Sequence, residues 1–224
     1  MIALFLLGIL LLPASAATIA IYGDTAGFSI DAHRDEFTVA CQHDGSSGAA
    51  LDRDIACFTD PSVAVIFMGG DESFSATTAG QIQEAAYGGK ILVVTNKHYK
   101  KINASLPAAN TGPVPEGQSL QVANPESPLA MRVFEGLRNH YPVTRPLADR
   151  MNTVANPGAD VLLTYETGDP ALLYWSYGRG FVVEWATTSP LSYLNSTEAD
   201  FINARLIRYL LARPVPVTTA TTTT

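Results

Sequence analysis

The stretch VAVIFMGGDESFSATTAGQIQEAAYGGKILVVTNKHY, from Val63 to Tyr99, constrains this chain more than any other. Two uninterrupted apolar runs flank a segment of helical periodicity, and a glycine pair punctuates each side. That alternation spells a βαβ unit, in which Ala64–Met68 and Ile91–Val94 become adjacent parallel strands covered on both faces. The intervening helix is expected to start near Ser75 or Thr78, where Thr78 and Gln81 have capping-box spacing. Ala79, Ile82, Ala85 and Ala86 form its inner stripe, and Gly88-Gly89 ends it.

The flanking sequence supplies further elements. Thr18–Tyr22 reads as a short strand ended by Gly23-Asp24, and Phe37–Cys41 as another, followed by a turn-rich loop from His43 to Gly48. Residues 97–125 read as a long surface excursion. Ser127-Pro128 starts a helix burying Leu129, Val133, Phe134 and Leu137. Val161–Tyr165, Ala171–Trp175 and Phe181–Trp185 are three strand-like runs joined by turns at Thr167–Pro170 and Tyr177–Gly180. A last helix, from about Thr197 to Leu211, is expected to turn Phe201, Ile202, Leu206, Leu210 and Leu211 inward, with Arg205 and Arg208 outside. Pro214 stops it.

The chain has 224 residues, of which 47% are apolar and 16% charged, enough for one α/β domain with a substantial core. Its net charge of −7, with 14 scattered Lys and Arg, lacks the basic footprint that a phosphate backbone requires, which argues against nucleic acid as a partner. Residues 1–16 combine an apolar run with Ala14-Ser15-Ala16, the layout of a secretory signal peptide without a basic n-region. The rival is an uncleaved anchor from Ile2 to Tyr22, which reaches the roughly 20 residues needed to span only by consuming the first strand. Export agrees with other features: two cysteines, Cys41 and Cys57, able to form a disulfide or stay as buried thiols, and the sequons at Asn103 and Asn195. The division is therefore a signal peptide at 1–16, an α/β domain at 17–213 and a Pro/Thr-rich stalk or linker at 214–224. The expected address is secreted or cell-surface, with membrane contact only through an anchor beyond the Thr-rich tail.

Val63-Ala64-Val65-Ile66-Phe67-Met68-Gly69-Gly70 resembles the strand and Gly-Gly loop of class I glutamine amidotransferase-like domains. The run from Pro170 to Trp185 is similar to the hairpin segment of that family's non-catalytic branch, which includes secreted and membrane-anchored domains. The resemblance implies a flavodoxin-like three-layer sandwich, a mostly parallel sheet with a C-terminal β-hairpin region. In catalytic members the Gly-Gly loop stabilises an oxyanion, and a cysteine on a tight turn attacks under a His-x-Glu base. Gly69 and Gly70 match the loop. The nucleophile turn falls at Val94-Thr95-Asn96-Lys97, which has no cysteine, and no histidine follows His140. The implied function is a non-catalytic binding or assembly module with no cofactor, whose partner is an unidentified ligand or envelope protein.

Ligands of open parallel sheets gather at the carboxyl ends of the strands. The candidate ligand-binding residues there are Asp24, Thr25, Gly69, Gly70, Asp71, Glu72, Asn96 and His98. The bland account is that loop ends are polar because they are wet. Two alternatives stand beside the binding module. One is an extracellular hydrolase using these carboxylates, or Ser73 or Ser75 with His98 and Asp24; the other is a structural cell-envelope subunit. Four dispersed histidines show no metal-ligand spacing. Tyr174, Trp175, Tyr177 and Trp185 are either core or a sugar-stacking cluster.

Overall fold

The computed structural model describes residues 16–69, 74–95, 102, 108–113, 119–141, 151–155, 158–186 and 194–213. Eleven strands are described: β1 (Ala17–Gly23), β2 (Phe37–His43), β3 (Val63–Gly69), β4 (Ile91–Thr95), β5 (Ala108–Pro113), β6 (Leu120–Val122), β7 (His140–Tyr141), β8 (Met151–Ala155), β9 (Asp160–Tyr165), β10 (Pro170–Tyr177) and β11 (Gly180–Trp185). Four α-helices accompany them among the described residues: α1 (Gly48–Thr59), α2 (Ala76–Tyr87), α3 (Pro128–Val133) and α4 (Ser196–Leu211).

Nine strands form one sheet in the order β2-β1-β3-β4-β11-β10-β9-β6-β7, and β5 pairs with β8 apart from it. The expected neighbours are found: β3 and β4 pair in parallel, with Val65 opposite Ile91 and Met68 opposite Val94. The mostly parallel flavodoxin-like sheet is not. Of the nine described pairings, four are parallel and five antiparallel. The physical reason lies in the turns. Strands joined by tight turns such as Tyr177–Gly180 must run antiparallel. Here the hairpin strands are built into the main sheet, with β10 joined to β11, rather than appended to it. The fold is a mixed sheet, parallel from β2 to β11 and antiparallel from β11 to β7.

Helices cover both faces. On one, Leu51 and Phe58 of α1 and Ala79, Ile82 and Ala86 of α2 pack on Ala20, Ile66, Leu92, Val94 and Val182. On the other, α3 and α4 cover Ile19, Ile21, Val65, Phe67, Val93 and Val183. The alternation of the two sets along each strand is the period-2 pleat. Tyr174, Trp175 and Trp185 are buried, so they are core and not a sugar platform.

Local chemistry explains the helix ends. Ser75, not Thr78, caps α2, its Oγ accepting from Thr78 N at 3.1 Å. Thr78 Oγ1 instead donates to Asp52 Oδ1 at 2.6 Å and ties α2 to α1. Ser127 caps α3 by accepting from Ala130 N, as its sequence demanded. In α4 the inward face is Ala199, Ile202, Asn203, Leu206, Ile207 and Leu210. Phe201 and Leu211 lie off that stripe, each 40% exposed, contrary to expectation. Arg205 stacks on Phe201, and donates to the Val133 and Glu135 carbonyls at the end of α3.

The region 26–56, poor in sequence signals, contains the crossover from β1 to β2, β2 itself and most of α1. Cys41 of β2 and Cys57 of α1 form a disulfide with a Cα separation of 6.3 Å. Replacing Cys41 with serine, or reducing the bond, is expected to cost about 3 kcal/mol, since the bridge closes a loop of about 15 residues. Urea unfolding with and without reductant measures it; equal midpoints would show that the bridge adds nothing to stability.

Candidate functional site

The carboxyl ends of β1 and β3 meet where sequence reasoning placed them. Asp24 and Thr25 leave β1 beside Gly69, the last residue of β3, which pairs with Gly23. A Cβ on Gly69 would lie 2.1 Å from the Asp24 carbonyl oxygen, so only glycine lets the two strand ends close. Gly70, Asp71, Glu72, Asn96 and His98, like Ser73 and Lys97, lie outside the described residues. Ser75 can no longer serve as a nucleophile, because its hydroxyl donates to Thr78 Oγ1 and accepts the α2 cap. Thr25 Oγ1 is likewise committed, donating to Phe28 O at 2.8 Å.

Asp24 and Thr25 open onto a groove of about 910 Å³ that sequence reasoning missed. Its walls are the β1–β2 crossover (Ser29, Ile30, Asp31, Arg34) and the strand β2 (Phe37, Thr38, Val39, Gln42). Arg34 and Asp31 form an exposed ion pair at 2.8 Å on the rim. The only sequence signal was the Asp31-x-x-Arg34 spacing.

A partly buried network holds the crossover in place. Asp200 of α4 accepts from Ser29 N at 2.6 Å and meets His33 Nε2 at 3.0 Å. On the other side of the ring, Arg208 lies 3.2 Å from His33 Nδ1. A guanidinium can only donate, so Nδ1 accepts and Nε2 carries the proton given to Asp200. Arg208 also clamps Glu36 with two hydrogen bonds, and that bonding holds the Glu36 carboxyl below its ordinary 4.5. The sign follows: Glu36 supports the fold above about 4.5 and loses that support as pH falls through its lowered pKa. Asn203 completes the anchorage, donating to Ala26 O and Ala199 O and accepting from Trp185 Nε1.

A second cluster, also missed, joins β6, β7 and β9. Ser119 Oγ lies 2.7 Å from His140 Nε2 and donates to Glu166. In a catalytic triad the acid orients the histidine through the nitrogen remote from the serine. Here Glu166 bonds the serine itself and approaches the same Nε2, at 3.8 Å. The order is wrong for nucleophilic catalysis. Beside it, the buried Tyr141 hydroxyl has no hydrogen-bond partner among the described residues. Burial pushes its pKa up to about 12. Because the unfolded phenol ionises near 10, Tyr141 contributes fully below that pH and its contribution is lost as pH rises toward about 12. Tyr141→Phe is expected to leave stability at pH 7 equal or higher and to weaken the decline above pH 10. Thermal melts across that range measure it, and a large loss at pH 7 would contradict the orphaned hydroxyl.

Near the would-be nucleophile turn, Thr95 is buried with its hydroxyl lacking a hydrogen-bond partner among the described residues. Glu184, wholly buried, stands opposite Val94 on the neighbouring strand. Both cysteines of the chain are consumed by the bond between β2 and α1. No group of three His, Cys, Asp or Glu among the described residues could hold a metal ion.

No family model matches the chain, and no curated protein matches it. Solved structures do. A cytoplasmic protein of Salmonella typhimurium is 14% identical, with a TM-score of 0.56 over 87% of this chain and 98% of that one. A ThuA-like protein of Bacteroides uniformis is 13% identical, with a TM-score of 0.53 over 90% and 94%. The β-galactosidase of Bacillus circulans is 11% identical, with a TM-score of 0.53 over 89% of this chain. This chain spans about a third of that enzyme, 32% of its length. The likeness is one of fold. These neighbours are relatives of the class I glutamine amidotransferase-like fold, which meets the resemblance read from the sequence at that level. Identities this low carry no activity across.

Proposed function

We propose that this chain is an extracytoplasmic, non-catalytic member of the amidotransferase-like fold that works as a binding or assembly module. The observation that carries the reading is the Cys41–Cys57 disulfide. It is compatible with an oxidising compartment, and it removes both sulfurs from any nucleophilic role. The committed hydroxyls of Thr25 and Ser75 point the same way. The signal peptide at 1–16 and the sequons belong to this reading. Asn195 is exposed and caps α4 through Oδ1, accepting from Glu198 N at 2.8 Å. A glycan on its Nδ2 would leave that cap intact.

The layout suits display. Ala17 at the start of β1 and Leu211 and Ala212 at the end of α4 line one shared groove of about 560 Å³. The first strand therefore starts beside the end of the last helix. Asp24, Thr25 and Gly69 sit at the other, carboxyl ends of β1 and β3.

The rival is a hydrolase built on the strand-end carboxylates. The test is turnover against a panel of glycans, esters and amides by the wild-type chain and by Asp24→Ala, Asp71→Ala and Glu72→Ala. We expect no turnover that any of the three variants removes. Activity abolished by one of them would establish the hydrolase instead. Large ordered assemblies on sizing would favour the structural subunit.

A further inference from the structure

We propose that His33 is a proton-operated latch: a proton on its Nδ1 displaces the Arg208 Nη2 from the ring and hands Glu36 Oε1 to the imidazole. The wall of the groove between β1 and α4 changes with it. The inference stands apart from the binding-module reading and needs no ligand. His33 closes the short 3-10 turn Asp31–His33, in the crossover between β1 and β2. Its Nε2 gives its proton to Asp200 of α4 at 3.0 Å, and its Nδ1 accepts from Arg208 at 3.2 Å.

Protonation puts a donor on both ring nitrogens. Nδ1–H and the guanidinium N–H would then face each other across 3.2 Å, a contact that cannot persist. The ring is not free to turn away. Phe28 stacks on it at 5.3 Å and 6° from parallel, the Phe37 ring stands perpendicular to it at 6.4 Å, and Asp200 holds Nε2. Arg208 is the group that can move, since its side chain is 42% exposed. An acceptor for the new proton is already in place: Glu36 Oε1 lies 3.6 Å from Nδ1. In the switched arrangement Nη2 gives up both Nδ1 and Oε1, while Arg208 Nε keeps Glu36 Oε2.

Charge agrees with the exchange. The charged groups facing the ring are Asp200 and Arg208 from α4 and Glu36 from the crossover. Asp31 and Arg34, on the same turn, are exposed and paired with each other. Two carboxylates against one guanidinium leave one net negative charge around a neutral ring, and a proton on Nδ1 cancels it. Glu36 stays ionised, because its bonds from Arg208 hold its carboxyl below the ordinary 4.5. Histidine is the side chain that ordinarily changes charge between about pH 5 and 8. The effect reaches the surface, because Glu36, Phe37 and Arg208 line the groove of about 560 Å³. A charge change at one nitrogen thus becomes a change in the position of a cation on that groove.

The test is NMR of the ¹⁵N-labelled full chain between pH 8 and pH 5. The histidine ring nitrogens report tautomer and charge. The Arg208 Nη2 protons report exchange with water, scaled to those of the exposed Arg34. At pH 8 we expect a proton on Nε2 and none on Nδ1. As the ring takes up its second proton, Arg208 exchange should rise about fivefold, the equivalent of roughly one lost hydrogen bond, with the same midpoint. His33→Gln, which offers a donor and an acceptor but does not titrate, should show no such rise. Glu36→Gln should move the ring's step to lower pH, because the new proton loses its charged acceptor. A proton on Nδ1 at pH 8, a ring still uncharged at pH 5, or unfolding ahead of the ring's step would each overturn the latch. So would Arg208 exchange that stays level across the step, the same rise in His33→Gln, or an unmoved step in Glu36→Gln.

Discussion

Gly69→Ala is expected to lower stability by on the order of 3 kcal/mol, the upper end of what overpacking costs. The added methyl would sit 2.1 Å from the Asp24 carbonyl oxygen, 2.9 Å from its carbon and 3.0 Å from its nitrogen. Every obstacle is backbone, so no side chain can rotate away, and the ends of β1 and β3 must part. For a domain of this size the loss corresponds to a fall in Tm of about 6–12 °C. Because Asp24 lines the groove, the same substitution should widen it, which hydrogen exchange at residues 23–25 would register. A variant melting within a degree or two of wild type would mean that the strand ends yield freely.

Asp200→Ala is expected to cost a similar amount, about 3 kcal/mol, for a different reason. The carboxylate satisfies the buried His33 Nε2 and the partly buried Ser29 N, and alanine leaves the first unmet, at up to about 3 kcal/mol. Asp200→Asn separates the two. Its Oδ1 still accepts from Ser29, but its amide N–H groups face the His33 proton. Shifting the ring tautomer gains little, because Nδ1 faces the Arg208 donor at 3.2 Å and the Glu36 carboxylate only at 3.6 Å. The asparagine variant should therefore fall between wild type and alanine. Chemical denaturation of the three proteins measures the series, and an asparagine variant equal to wild type would show that His33 does not need the acceptor. Since Ser29 and Asp31 belong to the crossover, losing Asp200 should also loosen the wall of the groove beside β2.

Much of the fold was legible in the chain itself. Ala64–Met68 and Ile91–Val94 are apolar at every position, and such runs are stable only as central strands with both faces covered. Ser127-Pro128, Gly88-Gly89 and the turns around Gly168 and Gly178 carry their instructions locally, in caps and turn conformations. Of the two fates weighed for the cysteine pair, the disulfide is the one found. What failed was longer in range. No property of Phe181–Trp185 announces that it will lie beside β4, so the hairpin strands looked like an appendage and the sheet looked mostly parallel. The helix α1 was missed although Leu51, Ile55 and Phe58 recur at helical spacing, and the disulfide adds to the anchorage that their packing gives.

The candidate site divides the same way. Sequence alone placed Asp24, Thr25 and Gly69 at strand ends, since apolar runs end where polar and glycine residues begin. Only the tertiary structure decided what they do there: Gly69 is needed for closeness, Thr25 is spent on its own loop, and Asp24 opens onto a groove bounded by a strand over a dozen residues away. Periodicity and capping are encoded within a few residues and survive reading one position at a time. Sheet order, groove walls and the Asp200–His33–Arg208 clamp join positions up to about 170 residues apart, and they exist only once the whole core has closed.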